Sequence, residues 1–207
     1  MIDSVIFDCD GTLLDSMPAW HALQERFAQK ARIALNPMQL VRLNANTLPE
    51  TAAFFHRECG LGGSVEEVLD DAHQILLSEY RDNVLARNGV VELVRRLSDD
   101  GVKLAVASSS PVDFLQAGLE RAGIFDLFDV VASAEGEGRT KSDPQFSASV
   151  AFRLGANPAN SWCVDDSAYA LGAMAQAGLR VLCARLEKRE RCHPLREASG
   201  RASTGLN

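Results

Sequence analysis

The stretch Val5–Ser16, VIFDCDGTLLDS, decides how the rest of the chain is read. An apolar run ends in two aspartates, Asp8 and Asp10, one residue apart, and Gly11, Thr12 and Asp15 follow. Unbroken apolar residues bounded by turn formers predict a strand over Val5–Asp8 that is buried on both faces. Side chains alternate along a strand, so Asp8 and Asp10 should point the same way at its carboxyl end, with Cys9 turned into the core. Taken alone, Asp-x-Asp-Gly is also a common turn signal. Spacing excludes a calcium loop, which needs Gly sixth and Glu twelfth; here Gly11 is fourth and Ala19 twelfth.

Working outward, three further apolar runs read as buried strands, Val102–Ala107, Ser161–Val164 and Leu179–Cys183, with a weaker one at Val130–Ala132. Helical periods separate them: Val90, Leu93, Val94 and Leu97; Leu115, Gly118, Leu119 and Ala122; Phe146, Val150 and Leu154 after Pro144. Such alternation predicts an α/β fold with a parallel sheet covered on both faces. Residues 17–87 break it. Trp20, Leu23 and Phe27 share one helix face, Thr51–Cys59 reads as a short helix, and Val65, Val68, Leu69, Ala72, Ile75 and Leu76 mark a longer one entered through a Ser64–Glu67 capping box. The division expected is therefore an α/β core over 1–16 and 88–184, a helical insertion over 17–87, and a polar, frayed tail over 185–207.

Composition narrows the classes. The 207 residues carry 21 Lys and Arg against 28 Asp and Glu, a net charge of −7, which argues against a nucleic-acid partner. No apolar stretch is long enough to span a membrane. Asp3 interrupts any secretory-signal pattern, and five cysteines without a CxxC pair read as reduced thiols. The expectation is a cytoplasmic protein, with its oligomeric state left open.

Polar groups gather at the strand ends. The second strand ends AVASSSP, a later loop carries Lys141, and the fourth strand ends WCVDDS. In an open parallel sheet those ends share one crevice. Four carboxylates there, Asp8, Asp10, Asp165 and Asp166, need a cation, and oxygen-only ligands suit Mg²⁺. Ser108, Ser109 and Ser110 offer hydroxyls and backbone N–H groups, with Ser110 expected as N-cap and Pro111 at N1 of the next helix. With Lys141, this set describes a phosphoryl group bound in line with a carboxylate nucleophile.

In these four segments the chain resembles the haloacid dehalogenase-like (HAD) hydrolases over residues 2–184. DCDGTLLDS is similar to their first motif, VASSS to the second, Lys141 to the third and VDDS to the fourth. An insertion directly after the first motif resembles the cap domain of the subgroup holding the beta-phosphoglucomutases and phosphoglycolate phosphatases. The resemblance implies a Rossmann-like core and a phosphatase. Asp8 would attack phosphorus, Asp10 would act as acid and base, Ser108, Ser109 and Lys141 would hold phosphoryl oxygens, and Thr12 would brace the loop. Mg²⁺ would sit on Asp8, the Asp10 carbonyl and Asp166, with Asp165 reaching it directly or through water. The cap would move on segments near Ser16–Pro18 and Arg87–Gly89.

There are departures. Ser142 follows Lys141 where the family has Pro, and Asp165 stands where Glu is frequent. Trp20, with His21 beside it, occupies the place of a mutase His, and Thr47–Leu48 that of a mutase Arg. Those exchanges favour hydrolysis of a small phosphorylated metabolite over a sugar-phosphate mutase. A non-catalytic binding module is the reading from another class, and it would be expected to lack a motif residue. Asp10 argues against a dehalogenase. Lys30, placed opposite the Trp20 face, argues against a Schiff-base enzyme. Met17, Trp20, Asn44, Asn46 and Glu50 are the insertion residues expected to face substrate.

Overall fold

The computed structural model describes residues 2–184. The tail over 185–207, including Cys192, lies outside them. Five strands, β1 Ser4–Phe7, β2 Lys103–Ser108, β3 Val130–Ser133, β4 Ser161–Asp165 and β5 Arg180–Cys183, form one sheet in the order β3-β2-β1-β4-β5. Every pairing is parallel, so all carboxyl ends lie on one edge. The β3 segment, read as the weakest, is an edge strand. Chain order reverses beside β1, which pairs with β2 on one side and β4 on the other, and that switch point opens a crevice.

Alternation along β1 sorts its residues between two cores. Val5 and Phe7 join Leu104 and Val106 on one face, while Ile6 joins Ala105 and Cys163 on the other. Helices α5 (Val90–Asp99) and α6 (Val112–Arg121) cover the first face, and α7 (Pro144–Arg153) and α8 (Ala168–Gln176) the second. Asp143 caps α7 by accepting from the Gln145 N–H, with Pro144 at N1. The stripe on α5 is narrower than its period implied. Val94 is buried, but Leu93, about 100° round the helix, is 47% exposed.

The region between β1 and α5 is wholly helical: α1 Met17–Ala31, α2 Pro37–Leu43, α3 Leu48–Arg57 and α4 Val65–Asp82. The third begins earlier than expected because Thr47 and Glu50 form a reciprocal capping box. At Ser64 only half a box exists: its side chain accepts from the Glu67 N–H, while Glu67 Oε2 accepts from the Gly63 N–H. Lys30 reaches across to Asp71 of α4. The two connecting segments are joined to each other. Asp15 N–H donates to Leu85 C=O and Arg87 N–H to Leu13 C=O, each at 2.9 Å. Gly89 then turns into α5 at φ +79°, a left-handed conformation that suits glycine.

The insertion is seated on the core through α4 against α6. Tyr80 stacks on Phe114 with ring centroids 5.2 Å apart, and His73 Nε2 lies 2.9 Å from Asp113 Oδ2. A Cβ on Gly118 would fall 2.5 Å from Leu14 Cδ1 and 3.2 Å from Tyr80 Cδ1, so glycine permits this approach. No helix among the described residues is long and apolar enough to cross a membrane.

Candidate active site

Asp8 leaves β1 still paired to β4, its N–H donating to Val164 C=O at 2.8 Å. The chain then wraps around the Cys9 carbonyl, which accepts from the N–H groups of Thr12, Leu13 and Leu14. Gly11 makes the turn at φ +82°, and a Cβ there would lie 2.6 Å from Asp166 Oδ2. Glycine is required twice, for conformation and for the approach of β4's acidic end. Cys9 is fully buried, as alternation predicted. The Thr12 hydroxyl, expected to brace this loop, is buried with no hydrogen-bond partner among the described residues. The Cys9 carbonyl braces the loop instead.

Lys141 reaches this point from the loop before α7. Its Nζ lies 2.6 Å from Asp8 Oδ1 and 2.5 Å from Asp165 Oδ2, and the three groups are almost wholly buried. Burial pushes the Asp8 carboxyl up to about 7, opposed by the Lys141 ammonium and assisted by the charges of Asp165 and Asp10. Burial would lower Lys141, but Asp8 and Asp165 outweigh it and hold the ammonium protonated above its ordinary range. Asp165 turns its other oxygen to Ser167, accepting from its N–H at 2.8 Å and its hydroxyl at 2.6 Å. Asp166 is more exposed, and its carboxyl is raised by burial and by Asp165.

Carboxylate oxygens of Asp8, Asp165 and Asp166 all lie within 4.8 Å of one another. Three hard oxygen donors so close fit a divalent cation such as Mg²⁺. Asp165 is already engaged by Lys141 and Ser167, which leaves Asp8 and Asp166 with the freer oxygens.

Asp10 sits in different company. Its Oδ1 accepts from Ser16 Oγ at 2.6 Å and from the Tyr80 hydroxyl, and its Oδ2 accepts from Ser110 Oγ at 2.6 Å and Ser108 Oγ at 3.3 Å. Tyr80 in turn accepts from Trp20 Nε1 at 2.9 Å. The expected cap at Ser110 is thereby corrected. Helix α6 starts at Val112 with Pro111 as N-cap and no side-chain cap, because the Ser110 hydroxyl makes a stronger bond to a carboxylate. Ser16, at the N-cap of α1, is diverted in the same way. Tyr80 was not foreseen as a site residue. The clue was its place on the stripe Val68, Ala72, Leu76, Tyr80, since a buried tyrosine hydroxyl needs a partner.

A cleft of about 520 Å³ opens above these groups. Asp8, Asp10, Ser108, Ser109, Lys141 and Asp166 lie at its core side, and Met17, Trp20, Asn44, Asn46 and Glu50 at its insertion side. Asp165, Thr12 and His21 do not line it.

A model of haloacid dehalogenase-like hydrolases matches residues 2–178. Hexitol phosphatase B of Escherichia coli K12 is 27% identical, over 86% of this chain and 82% of its own length. The N-acetylmuramic acid 6-phosphate phosphatase of Pseudomonas aeruginosa is 26% identical, over 89% and 82%. The crystal structure of CbbY from Rhodobacter sphaeroides, bound to phosphate, superposes with a TM-score of 0.73 at 20% identity, over 87% of this chain and 85% of that one. The match over nearly the whole described chain and the shared fold place this protein among the haloacid dehalogenase-like hydrolases.

Proposed function

We propose that the protein is a Mg²⁺-dependent phosphatase that hydrolyses a small phosphorylated metabolite through an aspartyl-phosphate on Asp8. The observation that carries this reading is the pairing of Asp8 with the Lys141 ammonium, beside Asp166 and two residues from Asp10, at the base of an open cleft. The phosphatase names of relatives that align over most of the chain agree with it. In the first step an Asp8 carboxylate oxygen bonds to phosphorus, and the bond to the alcohol oxygen breaks. Asp10 in its protonated form gives that oxygen its proton, so the alcohol leaves neutral. In the second step water attacks the aspartyl-phosphate, Asp10 takes a proton from the water, and Asp8 is restored as inorganic phosphate departs. Lys141 would neutralise the phosphoryl oxygens throughout, and Ser108 and Ser109 would donate to them. Mg²⁺, held by Asp8, Asp166 and the Asp10 carbonyl, would supply further positive charge at the phosphoryl group. Asp165 fixes Lys141 rather than facing the cleft. The helical insertion acts as a cap whose closure excludes bulk water.

The test is phosphate release from p-nitrophenyl phosphate and a panel of metabolite monophosphates. Activity is expected with Mg²⁺, is lost in EDTA, and is inhibited by Ca²⁺, which takes more ligands at longer distances. Absence of phosphate release with Mg²⁺, or full activity in EDTA, would refute the reading.

A further inference from the structure

The insertion side of the cleft carries an uneven set of groups. Among the described residues lining it, Lys141 is the one cation, and it lies at the floor, paired with Asp8 and Asp165. Glu50 and Glu135 face the cleft from opposite sides, one from the start of α3 and the other from the turn after β3. They are close enough that Glu50's charge helps burial raise the Glu135 carboxyl, with His73 pulling the other way. His73 is itself engaged by Asp113. The same cleft is lined by uncharged hydrogen-bonding side chains, Gln24 and Asn44, bonded to each other at 3.4 Å, and Asn46. The Asn46 Nδ2 amide is buried with no acceptor among the described residues. A buried donor is ordinarily satisfied, so it is suited to an incoming oxygen. Trp20, Leu43 and Leu48 supply apolar wall for carbon.

We infer that the alcohol half of the substrate is neutral and rich in hydroxyls, a polyol or sugar carrying a single phosphate, and that esters bearing a second anion are rejected. The inference rests on the phosphatase reading above and adds the class of leaving group. Phosphate charge is met at the floor by Lys141 and the metal site. A carboxylate or second phosphate further out would meet Glu50 and Glu135 with no counter-charge among the described residues lining the cleft, and like-charge apposition there is costly. Hydroxyl groups can accept from amides and donate to the two carboxylates, so the same residues that repel an anion bind a polyol.

The experiment compares kcat/KM, with Mg²⁺, for hexitol 6-phosphate, glucose 6-phosphate and glycerol 1-phosphate against phosphoglycolate, 3-phosphoglycerate and fructose 1,6-bisphosphate. The neutral set is expected to lead by about tenfold or more. In Glu50→Gln and Glu135→Gln, the gap should narrow through a lower KM for the anionic esters. Glutamine at position 50 can still close the capping box, so a change there is not loss of the helix start. Equal or better turnover of the carboxylated esters, or a gap unmoved in both variants, would overturn the inference. Hydrolysis of p-nitrophenyl phosphate in that case would leave the phosphatase reading standing. No phosphate from any ester would remove both.

Discussion

Asp8 and Asp10 are separated by one residue and live in opposite surroundings. Asp8 faces an ammonium ion at 2.6 Å and the carboxyl groups of Asp165 and Asp166, so its neighbours are all ionisable groups. Asp10 accepts from four hydroxyls, those of Ser16, Tyr80, Ser108 and Ser110, and has no cation among its hydrogen-bond partners in the described residues. The first environment comes entirely from strand ends and loops of the sheet. The second is assembled from both halves of the chain, since Ser16 and Tyr80 belong to the insertion and its entrance. Under the proposed mechanism, the difference teaches that charge is kept where phosphorus would be held and attacked, while rotatable hydroxyls surround the carboxyl that would gain and lose a proton. Hydroxyls can reverse donor and acceptor roles as that proton moves; an ammonium cannot.

The comparison can be broken at its charged end first. Asp8→Asn should remove all measurable turnover while the protein stays folded, because an amide is not a competent nucleophile. Activity above about 1% of wild type in a steady-state assay would contradict the assignment. Asp10→Asn keeps an acceptor for the surrounding hydroxyls but cannot shuttle the proton. Its kcat should fall by about 10²–10⁴-fold, and a loss below tenfold would assign that chemistry elsewhere. Tyr80→Phe sharpens the contrast. It deletes one donor to Asp10 and the acceptor of Trp20 Nε1 while keeping the ring on Phe114, so kcat should drop about tenfold with little change in divalent-ion requirement. A changed metal dependence with unchanged kcat would mean that the two environments are not separate. The smallest effect is expected from Gly118→Ala. Crowding against Leu14 and Tyr80 should outweigh the helix-propensity gain, leaving a net loss of about 1 kcal/mol, read as a fall of about 3 °C in Tm.

These two environments were unequally legible in the sequence. The Asp8 cluster could be read because each member ends a continuous apolar run or lies in the loop beyond one, and parallel strands deliver their carboxyl ends to one edge. The Asp10 cluster depends on α4 lying across α6, a contact between residues far apart in sequence that no local period encodes. Ser110 misled for a related reason, and Ser16 shows the same diversion. Each stands where a serine would cap a helix, and each is drawn off by a carboxylate from another segment. Helix α2 went unseen because it hides little: Met38 is 83% and Val41 73% exposed, so its apolar residues mark no buried face. Thr12 looked like a brace only through the motif it belongs to. Nothing in its spacing shows that the backbone around Cys9, the Thr12 N–H included, closes the loop without the Thr12 hydroxyl.

The paired connectors carry a consequence for how such a molecule can be rebuilt. Leu13–Asp15 and Leu85–Arg87 hold each other by backbone bonds, which do not depend on side-chain identity, so the insertion enters and leaves through a single doorway. Everything between those bonds is, in engineering terms, a cassette. A foreign helical segment with ends the same distance apart could be spliced between residues 16 and 84 without disturbing the order or register of the five strands. One condition travels with the exchange. The incoming segment must present a hydroxyl where Tyr80 presents its own and must leave Gly118 unobstructed; otherwise the graft keeps Asp8 in place and strips Asp10 of one of its hydroxyl donors.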